Sequence, residues 1–342
     1  MSATRRQDVE SARLPRNGEV RLPASLAPQL IVVVDTEEEF DWSAPFSRAS
    51  TSVSAMQHIG RAQTVFDRYG VKPSYLMDFP VATQPDGYQP LQQIFRDNRC
   101  TVGAHLHPWV TPPHDEAVNG RNSYTCNLPT GLQRAKLASV TQAVAEAFEP
   151  PRVFKAGRYG LGLETVGLLD ELGYQVDNSV NPRMDFSPDT GPSFAADDAQ
   201  PFFLTPRLLE IPCTNEYVGW SGSLGASLHK VASRPALLRL RAVGVLARLG
   251  CVNRIMLSPE GNSFAEVRTL TRALVARGTR TFTLSFHSPS VEPGHTPYVR
   301  TESDLASFID WIDRYCEFFF RELGGVPTTP LELRSLVMSR EE

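Results

Sequence analysis

Five consecutive aliphatic residues, Leu30-Ile-Val-Val-Val34, run straight into acids, Asp35-Thr-Glu37-Glu38-Glu39, and this junction constrains the chain more than any other feature. A strand with one face in water alternates apolar and polar side chains. A run without alternation is covered on both faces, as in a parallel sheet flanked by helices. Such a strand, ending in carboxylates, places charge at the C-terminal edge of a buried sheet.

The remaining sequence alternates helical and extended patterns. Residues 54–69 carry apolar side chains at helical spacing and stop at Gly70; residues 73–77 read as a strand, 91–99 as a helix, and 100–104 as a strand running into His105. Helices are predicted over 132–148, 165–172, 264–277 and 302–323, and strands over 153–156, 174–177, 208–212 and 281–286, the last ending at His287. Alternation of this kind implies one parallel α/β barrel over residues 28–342, preceded by a loose polar arm over 1–27. Two Pro-, Asn-, Asp- and Gly-rich stretches, 110–131 and 181–206, follow strand ends, where barrels build their sites from long C-terminal-face loops.

Composition narrows the class. A formal net charge of −4 argues against nucleic-acid binding. The five cysteines are scattered, with no C-x-x-C pair, so neither a disulfide framework nor a thiolate zinc site is expected. The first residues lack the apolar core of a secretory signal, and the longest aliphatic stretch, 235–250, is interrupted by Arg239, Arg241 and Arg248. A cytoplasmic protein without a membrane span is the expectation. Residues 234–248 read as an ordinary helix packed on the barrel, with peripheral contact to a membrane or an anionic glycan as the alternative. The glycine-rich 157–162 fits neither nucleotide-binding fingerprint. Oligomeric state is not legible.

The chemistry-bearing residues gather at strand ends. In His105-Leu-His107-Pro-Trp109, side chains two apart on an extended segment share a face, so both imidazoles can reach one ion, with hydrogen-bonded surface or core histidines as the alternative, and Pro108 favours an extended His107. Asp35 and Glu37 share a face by the same rule; one is placed to ligate the ion and the other to take a proton from water, with the two roles interchangeable. Glu38 and Glu39 read as a solvated face. Arg158 follows one strand and Asp177 ends another, each able to orient a partner, with a plain salt bridge as the alternative for both; a lone His287 is as readily structural as catalytic. Trp109, Tyr159, Phe186 and Trp42 are candidate apolar walls of the site, with plain packing as the alternative.

Taken in order, these residues resemble the polysaccharide deacetylases that share the NodB homology domain, carbohydrate esterase family 4, over nearly the whole chain from about Leu30 onward. The motifs are Asp35-Thr-Glu37, Gly103-Ala-His105-Leu-His107, Gly157-Arg158-Tyr159, Val176-Asp177-Asn-Ser179 and Leu284-Ser-Phe-His287. The acids are separated by Thr36 rather than adjacent, and the histidines lie two apart rather than four, with Trp109 in place of the second. These departures are similar to a divergent, WalW-like branch. The resemblance implies a distorted (β/α)7 barrel and one divalent ion, zinc or else cobalt, nickel or manganese, on Glu37, His105 and His107. It implies Asp35 as base, Arg158 holding it, Asp177 lining the site and His287 as acid. The implied activity is removal of N-acetyl groups from an amino sugar of a polysaccharide or lipid-linked precursor. A metal-dependent amidohydrolase or deaminase of a small molecule, and a catalytically silent carbohydrate-binding barrel, are the other readings.

Overall fold

The computed structural model describes residues 13–340 apart from 235, 236, 238 and 240; residues 1–12 of the polar arm, and part of the arginine-bearing stretch, lie outside it. Its strands are β1 (Gly18–Glu19), β2 (Gln29–Thr36), β3 (Ser74–Met77), β4 (Thr101–Leu106), β5 (Val153–Ala156) and β6 (Val176–Asp177). They continue with β7 (Phe202–Phe203), β8 (Leu209–Glu210), β9 (Asn215–Val218), β10 (Asn253–Met256), β11 (Thr281–His287) and β12 (Val326–Pro327).

Strands β8, β6, β5, β4, β3, β2 and β11 lie side by side in that order and all run parallel. Antiparallel β7 and β1 extend the sheet beyond β8, and β12 pairs with the start of β2. The α/β barrel is therefore present but open: β8 and β11 are not paired. The segment after β8 spans the gap instead, where the Thr283 N–H donates to Thr214 Oγ1 at 2.8 Å and the Thr283 hydroxyl to the Pro212 carbonyl at 3.0 Å.

Strand parity divides the core. Ile31 and Val33 pack with Leu76, Val153, Val176, Leu209 and Ile211 inside the barrel. Leu30, Val32 and Val34 face the helices, with Met77, Ala104, Phe154 and Ala156. Burial of one aliphatic side chain stabilises by about 1.5–3 kcal/mol, and a one-residue slip would reverse every side chain of β2, so the register is fixed.

The helices mostly follow the pattern, with shifted ends. The one expected at 91–99 begins six residues earlier as Pro85–Arg96, because Pro85 is preset for a first helical turn. The last predicted helix is α-helical over Glu302–Glu317 and widens into a π turn over Phe318–Glu322; a further helix, Pro330–Met338, was not anticipated. No helix among the described residues is long and apolar enough to cross a membrane.

Candidate active site

Parity carried past the end of β2 builds the site. Ile31 and Val33 point into the barrel, and so do Asp35 and then Glu37. The pairing register sets Asp35 beside His287 on β11, and His105 beside Lys155 on β5. These side chains and His107 floor a cavity of about 400 Å³ whose walls include Phe40, Trp42, Phe46, Tyr124, Tyr159, Phe186 and Tyr298.

Three donors form a compact triangle. His105 Nε2 lies 3.1 Å from His107 Nε2, and Glu37 Oε2 lies 3.5 Å from each. A tetrahedral ion with bonds of about 2.0–2.1 Å separates its ligand atoms by roughly 3.3–3.4 Å, so the triangle has the size of such a site. Burial pushes both imidazoles down to about 4, which keeps them neutral and leaves a lone pair for a metal. Glu37 Oε1 is buried without a partner. The donor set thus fits a divalent ion.

Behind the triangle, His107 Nδ1 and Glu38 Oε2 share a hydrogen bond of 2.7 Å; with Nδ1 as its donor, Nε2 is free for an ion. Glu38 also accepts from Trp109 Nε1 at 2.7 Å, and its own N–H donates to Asp78 at 2.7 Å. Burial pushes Glu38 up to about 8, and burial followed by the contact with Glu38 holds Asp78 well above the ordinary carboxylate range. Asp78 also caps the helix Phe79–Thr83 by accepting from the Val81 N–H, which ties the triangle's support to that helix. Gly157 is needed at this point: a Cβ there would lie 2.2 Å from the His107 ring.

Two charged pairs flank the triangle. Lys155 Nζ donates to both oxygens of Asp35 at 2.7 Å. Burial pushes the Asp35 carboxyl up, but Lys155, together with His105 and His287, outweighs it and the net shift is downward, so Asp35 is ionised. On the other side His287 Nδ1 donates to Glu260 Oε2 at 2.7 Å, with Nε2 directed toward Asp35 at 3.9 Å. Burial lowers the imidazole, but Glu260 and then Glu37 outweigh it and raise it to about 10. His287 is a protonated acid at neutral pH.

No family model and no curated protein matches the sequence. Solved structures do match by fold. A provisionally named polysaccharide deacetylase from Mycobacterium smegmatis superposes with TM-score 0.53 at 13% identity, covering 96% of each chain. The chain carries the polysaccharide-deacetylase fold. A chitin deacetylase from the fungus Colletotrichum lindemuthianum matches at TM-score 0.39 and 10% identity, over 91% of this chain and 87% of that one. A CE4 family pseudoenzyme from Bacillus anthracis matches at TM-score 0.40 and 11% identity, over 90% and 66%.

Within this polysaccharide-deacetylase fold, the geometry corrects four readings of the sequence. Arg158 does not hold Asp35. Consecutive left-handed conformations at Arg158 and Tyr159, φ 53° and 60°, swing its guanidinium outward to Asp189 and the Ser123 hydroxyl. Lys155, three residues earlier and still on the strand, takes the role. Asp177 faces away from the cavity: Val176 points into the barrel, so its neighbour points out and bonds Ser179 at 2.7 Å. Trp109 is only 2% exposed and stacks behind His107 at 4.2 Å, supporting the imidazole without lining the cavity. Glu38 is fully buried and not a solvated acid. Tyr159 and Phe186 do line the cavity, stacked on each other at 5.4 Å. Lys155, Glu38, Asp78 and Glu260 were the residues missed. Lys155 carried a signal, since a lysine inside Val153-Phe-Lys-Ala156 needs a buried partner; Glu260, in a Ser-Pro-Glu-Gly turn, carried none.

Proposed function

We propose that the chain is a metal-dependent hydrolase that removes N-acetyl groups from an amino sugar of a glycan. The observation that carries this reading is the convergence of the Glu37, His105 and His107 triangle with an ionised acid on one side and a protonated histidine on the other. The fold shared with the mycobacterial protein supports it.

Glu37, His105 and His107 would hold one divalent ion, zinc by donor type and spacing, which when bound polarises the acetamide carbonyl and acidifies water. Asp35 then accepts the proton of the attacking water. Lys155 holds that carboxylate in place through two hydrogen bonds and keeps it unprotonated, at some loss of basicity. His287 donates its proton to the departing amine, and Glu260 keeps the imidazole charged and oriented until it does. Trp42, Tyr159, Phe186 and Tyr298 offer apolar faces to a sugar ring.

Elemental analysis with an acetate-release assay on N-acetylated oligosaccharides tests this reading. One equivalent of zinc or a similar ion with acetate release is expected. His105→Ala and His107→Ala should each remove the ion, and retention of stoichiometric metal in both would sink the assignment. Metal without acetate from any glycan would move the reading to a small-molecule amidohydrolase.

A further inference from the structure

The antiparallel pair β9–β10 carries, between its strands, an excursion unlike the rest of the molecule. From Tyr217 to Pro259 the sequence has six cations, Lys230, Arg234, Arg239, Arg241, Arg248 and Arg254, and no acid, in a chain whose formal net charge is −4. Among the described residues, ten large apolar side chains are exposed, and six of them lie in this one segment: Trp220 (75% exposed), Leu224, Leu228, Val231, Val245 and Leu249 (65%).

The pattern is helical and one-sided. Leu224, Leu228 and Val231 follow each other at four- and three-residue spacing along the helix Gly225–Ala232 and the turn before it. Val245 on the helix Ala242–Arg248 and Leu249 at its C-terminal cap lie four apart, with Arg248 beside them on the same face. The Trp220 indole N–H donates to the Leu249 carbonyl at 3.0 Å, joining the start of the excursion to its end. Lys230, Arg234, Arg239, Arg241 and Arg248 are all exposed, and no ion pair engages them among the described residues.

We infer that this excursion docks the protein on an anionic lipid bilayer. Exposed leucine, valine and tryptophan side chains interleaved with cations match the boundary between acyl chains and negative headgroups, where tryptophan is favoured and each nearby cation adds attraction. A second copy of the chain would bring like charges together, which disfavours self-association through this face. The inference is independent of the hydrolase reading.

Sedimentation of the full chain with phosphatidylglycerol-rich vesicles, against phosphatidylcholine vesicles, tests it. Binding to the anionic vesicles alone, released by high salt, is expected. R241E/R248E should weaken it by roughly ten-fold or more. W220S/L249S should weaken it too, and because these side chains face solvent both variants should keep the wild-type urea midpoint. If either variant fails to fold, K230E/R234E makes the same measurement on the neighbouring helix. No uptake by anionic vesicles, equal uptake by neutral ones, or uptake unchanged in the charge and apolar variants would overturn the proposal. So would a dimer in vesicle-free solution that W220S/L249S dissociates.

Discussion

Two buried aspartates on the same sheet have opposite surroundings. Asp35 on β2 lies on the barrel face and is gripped by Lys155 through both oxygens at 2.7 Å. Asp177 on β6 lies on the helix face, and its strand neighbour across the register is another acid, Glu210. Burial pushes both aspartates up. Lys155, with His105 and His287, reverses the shift for Asp35, whereas Asp177 stays raised, and burial followed by Asp177 holds Glu210 well above its ordinary value. One acid is therefore an ionised group facing a cavity, and the other sits inside the wall beside a second acid. Parity chooses the face, and the partner chooses the charge state.

Neutral isosteres probe that contrast most strongly. Asp35→Asn removes the proton acceptor and is expected to lower kcat for acetate release by about 10²–10⁴-fold, the usual worth of a positioned base. Asp177→Asn changes a carboxyl outside the cavity and should leave kcat within a few-fold. Parallel single-turnover assays check both; equal losses would erase the distinction between the two acids.

How far this contrast was legible in the sequence follows from the same parity. The parallel α/β plan was readable because β2 has no alternation and strands alternate with helices. The clustering of Glu37, His105 and His107, with Asp35 beside them, was readable because the acids and the histidines each lie two apart on extended backbone, and that local rule survives folding. What failed were inferences across strands. Arg158 and Asp177 were placed by sequence order at strand ends, yet a left-handed turn re-aims the first and a one-residue parity difference hides the second. Glu260 reaches His287 from the segment after β10, whose antiparallel pairing with β9 left no periodic trace. The open seam between β8 and β11 was equally silent, being closed by threonine hydrogen bonds and no strand.

Lys155→Met sharpens the contrast from the other partner. It leaves Asp35 buried and unpaired, so a loss of about 3–5 kcal/mol in unfolding free energy is expected from urea denaturation at neutral pH. The ion pair is only 1% and 6% exposed at its two side chains, so solvent screening offers little relief. A change under about 1 kcal/mol, within the range of an exposed pair, would show that Asp35 does not depend on Lys155 as the geometry indicates.

Glu260→Gln moves the effect to pH. Glu260 is the largest influence holding His287 up at about 10 against burial. Without it the imidazole loses its proton at lower pH, so the alkaline limb of the kcat profile should move toward neutrality, with about a ten-fold loss of activity at pH 8. An alkaline limb that stays in place would remove His287 from the role of acid.

The smallest effect belongs to the acid pair. Glu210→Gln substitutes a neutral group for a carboxyl that burial and Asp177 keep protonated, and the Val180 N–H that donates to Glu210 Oε1 at 3.0 Å keeps an acceptor in the amide oxygen. Stability at pH 5 should change by less than about 1 kcal/mol. The pH dependence should change more clearly. A group whose folded pKa is raised contributes stability that is complete below its unfolded pKa and is lost as pH rises through the folded value. The wild-type protein is thus expected to weaken between pH 5 and pH 8 through this pair, and Glu210→Gln to flatten that slope. Urea midpoints at the two pH values decide it: an unchanged slope would mean that Glu210 is ionised in the fold, and that the wall acid differs from Asp35 in its face alone.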